Sequence, residues 1–369
     1  MTRRAQISFA GFFLTVVFIP PLVQACFEVA QGRSPQFFEL FTGIPTRSRL
    51  RSWEHDVQEN SLTVKASRPV VQSVWFRLLH YAGEKVVPGL DSWLFYKPDV
   101  RYLVEPAVAD AEHQDPYLAI IDFHKELARQ GIHLIVLPMP GKPSVYPEKL
   151  TGHVSAGKLK SHTLDLIRRL QMAGVETIDL FTVFQYVRQF PSAQLYLRLD
   201  THWSPQAAEM AAKIAAERIL ALPIDKGNEH YQVRNIEVRR VGDIVKMIQI
   251  PYVETIYPRE TLRCSQVIGY KDDPSSPVLI LGDSFFRIYQ TDEPKASGFI
   301  AHLARALQMP VASIVNDGGA STLVRQELAR QHEILRGKKV VLWEFVERDI
   351  RFGNQGWKIV PVPVYDTLP

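Results

Sequence analysis

Cysteine is nearly absent: Cys26 and Cys264 are the only two in 369 residues. Cys26 lies in or beside an apolar leader, which excludes a structural disulfide framework as the source of stability. Runs of lysine or arginine are missing as well, and so are basic stretches interleaved with aromatics. With 43 Lys and Arg against 39 Asp and Glu, the net charge is only +4. That is a weak reason to expect polyanionic partners and leaves no footprint for nucleic acid. No compact His/Asp/Glu group has metal-ligand spacing. Glu344 and Glu347 with His202 come nearest, so neither metal nor cofactor is expected. The rest, 46% hydrophobic and 22% charged, is ordinary for a globular chain of one large or two smaller domains.

What is present begins with a leader. Arg3 and Arg4 precede an apolar run from Ile7 to Ile19, closed by Pro20-Pro21. A charged segment followed by an apolar one is the pattern of an export signal. Residues 1–30 are thus a signal peptide or an N-terminal membrane anchor. Val23-Gln24-Ala25 offers cleavage before Cys26, and Cys26 offers a site for lipid, although Gln24 fits that poorly. Uncleaved, Ile7 to Val29 is nearly long enough to span a bilayer. The bland alternative is a buried N-terminal helix; on the export reading the remainder is expected in the periplasm, at or close to the inner membrane.

Residues 31–110 are mixed and aromatic-rich, with Gly89-Leu90-Asp91-Ser92-Trp93-Leu94-Phe95-Tyr96 as the sharpest feature. They are expected to pack on a catalytic domain spanning 111–350, with 351–369 as a tail. Tyr117 to Gln130 has helical spacing and is stopped by Gly131. His133 to Pro138 is an apolar run suited to a strand buried on both faces, which makes His133 a core residue. Residues 155–172 read as a helix and Val175 to Leu180 as a strand. In Ser204 to Leu220, Ser204 is a good N-cap and Pro205 occupies the first helical position. Residues 223–276 break the rhythm as a β-rich insertion, with strand-like stretches at Tyr231 to Arg234 and Ile248 to Ile256. Strands at Val278 to Leu281, Val311 to Val315 and Val340 to Trp343 then alternate with helices at His302 to Leu307 and Leu323 to Leu335. Such alternation implies right-handed crossovers and a parallel sheet covered by helices.

Ligands bind beyond the carboxyl ends of strands in such a sheet. That edge receives Ser284, Asn316-Asp317-Gly318-Gly319, Glu344 and Lys142, and Asp200-Thr201-His202 lies just before its helix. A hydroxyl nucleophile needs a base, and the base needs a carboxylate to fix its tautomer. Ser284, His202 and Asp200 supply all three. Read blandly, Asp200 is a helix cap, His202 a surface residue and Ser284 a turn residue, while Asp283 braces the turn. Trp203 packs on the helix or meets sugar, Lys142 is equally a loop residue or an anion contact, and Arg287 and Tyr289 line a groove or only fill structure.

Gly282-Asp283-Ser284 resembles the nucleophile block of the SGNH (GDSL-like) hydrolase superfamily. Val315 to Thr322 is similar to its second block, whose glycine, here Gly318, lends an oxyanion amide. Asp200-Thr201-His202 resembles its last block with a shorter gap. The order is that of a circular permutation. Together with Pro138-Met139-Pro140-Gly141-Lys142 and the Trp-Leu-Phe element, it looks like the AlgJ/AlgX-type alginate O-acetyltransferase family over roughly residues 85–350. The short stretch after the last strand favours the AlgJ-like arrangement, without an appended carbohydrate-binding module. One departure stands out: where the superfamily supplies an oxyanion asparagine, this chain reads Glu344 to Arg348, leaving Arg348 and Asn316 as substitutes.

The resemblance implies an α/β, three-layer SGNH-like fold and an exported enzyme moving acetyl groups onto an exopolysaccharide, alginate or similar, such as cellulose. It also implies a membrane-bound O-acyltransferase as acetyl donor and other exopolysaccharide biosynthesis proteins as partners. The alternatives are a polysaccharide acetylesterase and a catalytically idle polysaccharide-binding module of the same assembly.

Overall fold

The computed structural model describes residues 3–41, 43, 46–105, 115–154, 161–353 and 355–362. The chain divides into two compact units, Met1–Tyr81 with Gln249–Tyr252, and Ala82–Ile248 with Val253–Pro369. The division falls inside the expected 31–110 region, so residues 82–105 belong to the second unit.

In the first unit a 28-residue helix, Arg3–Ala30, buries only Glu28. Its length and apolar composition are sufficient to cross a membrane. Two further helices follow, Arg47–Asn60 and Leu62–Leu79. They share Ser61, whose hydroxyl caps the second by accepting from the Val64 amide at 3.3 Å.

Among the described residues the second unit contains nine strands: β1 (Val86–Pro88), β2 (Leu94–Tyr96), β3 (His133–Met139), β4 (Glu176–Thr177), β5 (Val233–Arg240), β6 (Glu260–Val267), β7 (Val278–Gly282), β8 (Ala312–Val315) and β9 (Val340–Val346). Five form a parallel sheet in the order β4-β3-β9-β7-β8. The order places β7 one strand from β3, with β9 between them. Successive residues of β3, β7 and β9 point to opposite faces. Ile135, Leu137, Val278, Ile280, Val340 and Leu342 enter one core; Leu134, Val136, Leu279, Leu281, Val341 and Trp343 enter the other. Both faces are covered, which is why these strands are unbroken apolar runs. On the first face the Pro205–Leu220 helix buries six alanines, from Ala207 to Ala216, and so packs closely on the Phe299–Leu307 helix. The Pro116–Arg129 and Leu323–Arg330 helices cover the second.

Several expectations are corrected. Val175 to Leu180 contributes only the edge strand β4. Asp179 then caps an unexpected helix, Leu180–Val187, its carboxylate accepting from the Thr182 amide at 3.1 Å. The helix expected over 155–172 is described as His162–Met172, residues 155–160 lying outside the described residues. Strand β9 runs on to Val346, so Glu344 lies within it. The Leu323–Leu335 helix ends at Arg330 and gives way to a 3-10 turn at His332–Leu335. The insertion pairs β5 with β6 as an antiparallel ribbon, but Ile248 to Ile256 is not a strand. It takes in the end of the helical turn Asp243–Ile248, where Ile244, Val245 and Ile248 bury one helical face, and all of the turn Val253–Ile256. His133 is half-exposed and paired with Glu176 at 2.7 Å across β3 and β4.

Just beyond β9, fully buried Glu347 ties three segments together. It accepts from the Gly141 amide (2.7 Å), the Ser144 hydroxyl, Ser161 (2.8 Å) and Thr163 (3.2 Å). Burial pushes its carboxyl up to about 7 despite those donors. A raised folded-state value means that stability is fully present below the unfolded carboxyl pKa and is lost as pH rises through 7. Glu347→Gln is therefore expected to flatten the fall in melting temperature between pH 5 and 8. An unchanged slope would remove Glu347 as its source.

Candidate active site

The Ser284 arm is built at the end of β7. Gly282 ends the strand, Asp283 caps the turn by accepting from the Phe285 amide at 2.8 Å, and Ser284 opens the single-turn helix Ser284–Arg287. A Cβ at position 282 would lie 2.5 Å from Phe286 and 2.7 Å from the Glu344 carboxylate, so only glycine fits. Asp283 is buried, and its amide donates to Glu344 Oε2 at 3.0 Å. Asp283 braces the turn.

The His202 arm comes from the loop before the Pro205–Leu220 helix. His202 Nε2 lies 2.9 Å from Ser284 Oγ, and His202 Nδ1 lies 2.7 Å from Asp200 Oδ1. With Asp200 accepting the hydrogen bond from Nδ1–H, Nε2 is left as the acceptor facing the serine hydroxyl. The ring packs on Phe285 at 5.0 Å between centroids. Next in sequence, Trp203 is wholly buried. Its indole donates to the Phe285 carbonyl at 3.1 Å and stacks on Phe299, and its own carbonyl accepts from Tyr289 at 3.0 Å. Trp203 and Tyr289 thus lock the two arms together and present no surface to a sugar.

Asp200 is 0% exposed, and a carboxylate so placed needs several donors. Besides the His202 ring it accepts from the His202 amide (3.1 Å), Arg240 Nε (3.1 Å) and the Asp243 amide (3.2 Å). Arg240 ends β5 and Asp243 lies just beyond it, so two of the four donors come from the insertion. Gly242 makes the approach possible, because a Cβ there would collide with the Leu199 carbonyl at 1.9 Å. Asp243 in turn accepts from the Thr201 amide (2.7 Å) and hydroxyl (2.5 Å). From β6, Glu260 accepts the Arg198 and Leu199 amides at 3.0 Å each.

Lys142 completes this clamp. It is 1% exposed and donates to the carbonyls of Leu197 (3.1 Å), Arg198 (3.2 Å) and Asp200 (2.7 Å), with the Trp93 and Phe95 rings beside it. Burial pulls its ammonium down to about 8. Lys142 is therefore an internal staple of the Asp200 loop and not an anion contact. The Trp-Leu-Phe element around β2 serves the same loop, the Leu94 amide donating to the Arg198 carbonyl at 3.0 Å.

Of the substitutes for the missing asparagine, Arg348 is spent elsewhere. Its guanidinium lies 3.0 Å from buried Asp99, with the Tyr96 and Phe285 rings beside it. Asn316 sits at the end of β8, its amide donating to the Gly282 carbonyl at 3.0 Å. Gly318 is exposed with a φ of 65°. Among the described residues the amides of Ser284 and Gly318 have no protein acceptor. Arg287 lies one-third exposed, with its Nε 2.8 Å from Asp317 and its Nη1 on Asp292, which Arg240 Nη2 also reaches at 3.5 Å. Charges of alternating sign thus run from Asp200 through Arg240, Asp292 and Arg287 to Asp317, the neighbour of Gly318. No local sequence signal marked Arg240, Asp243 or Glu260, which lie about 40 to 60 residues from the loop they hold.

The electrostatics follow from this packing. Burial raises Asp200, but His202 and Arg240 more than reverse it and leave the carboxyl well below its usual range. Burial depresses the His202 imidazole, yet Asp200, with Asp243 and Asp283 beyond, outweighs it and holds the pKa above the ordinary value. Asp243 is raised by burial and by the Asp200 charge. Asp200, His202 and Asp243 lie close enough to hold a metal ion. However, Nδ1 is engaged with Asp200, both Asp200 oxygens accept N–H groups, and Arg240 supplies the compensating cation. The carboxylates of Glu344 and Glu347 are taken up by Asp283 and by the Ser144 and Ser161 segment, so they form no ligand set with His202.

A family model described as SGNH hydrolase-like domain, acetyltransferase AlgX, matches residues 86–347. The chain is 26% identical to the probable alginate O-acetylase AlgJ of Pseudomonas fluorescens over 96% of this chain and 90% of that one. It is 25% identical to its Pseudomonas aeruginosa counterpart over 74% and 72%. The solved O-acetyltransferase domain of Pseudomonas putida AlgJ superposes with a TM-score of 0.59 at 24% identity, covering 73% of this chain and 93% of that one. Pseudomonas aeruginosa AlgX gives 0.53 at 21% identity, over 71% and 61%. The parallel sheet is thus the SGNH-like sheet of those folds, and the chain belongs to the AlgX-type family of SGNH hydrolase-like acetyltransferases.

Proposed function

We propose that the chain acetylates hydroxyls of an exported polysaccharide through an acetyl-serine on Ser284, with His202 as base and Asp200 as its orienting acid. The observation that carries this reading is the unbroken line from Ser284 Oγ to His202 Nε2 (2.9 Å) and from His202 Nδ1 to Asp200 (2.7 Å). The polymer is read as alginate because the relatives bear that name. The N-terminal helix is read as a retained anchor that keeps the catalytic unit in the periplasm, where a membrane-bound acyltransferase hands over acetyl groups.

The reaction balances in two halves. Ser284 gives its proton to His202 Nε2 while Oγ bonds the acetyl carbonyl carbon. The bond from that carbon to the donor's leaving group then breaks, and His202 protonates the leaving group. A sugar hydroxyl next gives its proton to His202 and attacks the acetyl-serine, and Ser284 departs and recovers the proton. The free amides of Ser284 and Gly318 are the proposed oxyanion donors, each worth about 3 kcal/mol in the transition state. The Asn316 side chain is the third candidate. Arg240 acts through Asp200, as a positioning residue.

Purified protein is expected to release acetate slowly from a small activated acetyl ester and, given mannuronate oligomers, to divert acetyl groups onto sugar. Ser284→Ala should abolish both, His202→Ala should come close, and Asp200→Ala should cost less, because a misoriented base still works part of the time. Turnover by Ser284→Ala at the wild-type rate would end the covalent reading. Acetate release unaltered by any glycan would favour an esterase.

The acid limb of the rate profile should reflect His202, whose raised pKa makes activity climb as pH rises through it. Arg240→Gln removes a nearby cation, so it should move that limb to still higher pH and lower kcat/KM by about tenfold, roughly 1.4 kcal/mol. Arg240→Lys should recover part of both. A loss of rate with an unmoved limb would reduce Arg240 to a structural brace.

A further inference from the structure

The Leu62–Leu79 helix of the first unit carries an apolar face on its surface. Val70, Val71, Val74, Trp75, Leu78 and Leu79 are all exposed, Leu78 by 74%. At about 100° per residue, these six fall within roughly half the helix circumference, with half-buried Gln72, Ser73 and Phe76 on the other side. A contiguous patch of this kind marks an interaction surface.

Two observations say what covers it. The first is where the helix begins. Buried Glu28 accepts from Gln24 Nε2 (2.6 Å) and from the Gln36 amide (2.8 Å), and Gln24 Oε1 accepts from the Leu62 amide at 2.8 Å. Such polar groups do not sit in hydrocarbon, so this cluster marks where the Arg3–Ala30 helix reaches the headgroups. The Leu62–Leu79 helix is pinned at that level by its first residue. The second is its charge: the helix contains Lys65, Arg68 and Arg77 and no acid, complementary to anionic headgroups. Arg68 also reaches Glu59 at 3.4 Å.

We propose that the Leu62–Leu79 helix lies along the bilayer surface, with its Val70 to Leu79 face among the upper acyl chains and its basic residues on anionic lipid. This is a second membrane contact, and it rests on the reading of the N-terminal helix as a retained anchor. An aromatic-bearing apolar face flanked by basic residues is the composition of an interfacial helix.

The test uses the full chain, with Cys26→Ser, in vesicles of phosphatidylethanolamine and phosphatidylglycerol. An environment-sensitive dye is attached in turn at Val74→Cys, Leu78→Cys, Ala66→Cys and Phe13→Cys. Dyes at 74 and 78 should be quenched by lipids spin-labelled high on the acyl chain at least about threefold more than the dye at 66, by the sidedness of the helix. Removing phosphatidylglycerol should weaken that quenching. Dyes at 74 and 78 quenched only by aqueous iodide would overturn the proposal. Dyes shielded from iodide and lipid alike would overturn it in favour of a protein surface. The dye at 13 separates the two readings: if lipid spin labels fail to quench it, the anchor fails and takes the proposal with it, whereas quenching at 13 but not at 74 and 78 refutes the surface contact alone.

Discussion

Everything in the site depends on keeping one carboxylate charged where water cannot reach it. Asp200 is fully buried, and an isolated ionised carboxylate in that position would take up a proton. Four N–H donors and the Arg240 cation prevent this. The ribbon of β5 and β6 delivers Arg240 and Asp243, the turn at Gly242 brings the backbone within reach, Glu260 accepts from two loop amides, and Lys142 donates to three loop carbonyls. The insertion that breaks the strand–helix rhythm is thus the support of the acid arm. Without it Asp200 would lose two of its four donors and the cation that offsets its charge, and the contact that fixes the His202 tautomer would be unsupported.

The Ser284 arm shows a second concentration of buried charge. Asp283, Glu344 and Asp349 lie in the interior, with Arg348 held by Asp99. Burial raises the carboxyls of Asp283, Glu344 and Asp349, Asp349 to about 8. Where the superfamily supplies an asparagine, Glu344 takes the Asp283 amide and crowds Gly282. This position therefore shapes the strand-to-helix turn that carries Ser284, and the oxyanion donors are sought in backbone amides.

The parallel sheet was legible because both of its faces are buried. Runs such as Leu134 to Leu137 and Val278 to Leu281 have no polar alternation to obscure them, and Ser204-Pro205 marks its helix start chemically. The Ser284, His202 and Asp200 constellation was legible because each residue sits at a turn with local punctuation. Arg240 and Asp243 were not, since nothing in an isolated Arg-x-x-Asp announces a partner about forty residues away. Lys142, Tyr289 and Trp203 stayed open between packing and a ligand contact because residue type alone does not decide it, whereas in the structure each spends its polar atom on a buried carbonyl. Val175 to Leu180 misled because Asp179 caps a helix inside an apolar run.

On the proposed mechanism Ser284 becomes acetylated. Rapid quenching of the protein mixed with an activated acetyl ester, followed by peptide mass spectrometry, addresses it directly. The expected result is one acetyl group on the peptide containing Ser284, formed before steady-state acetate release and lost when mannuronate oligomers are added. Acetate release at full rate with no adduct on Ser284, or with the adduct on another residue, would contradict it.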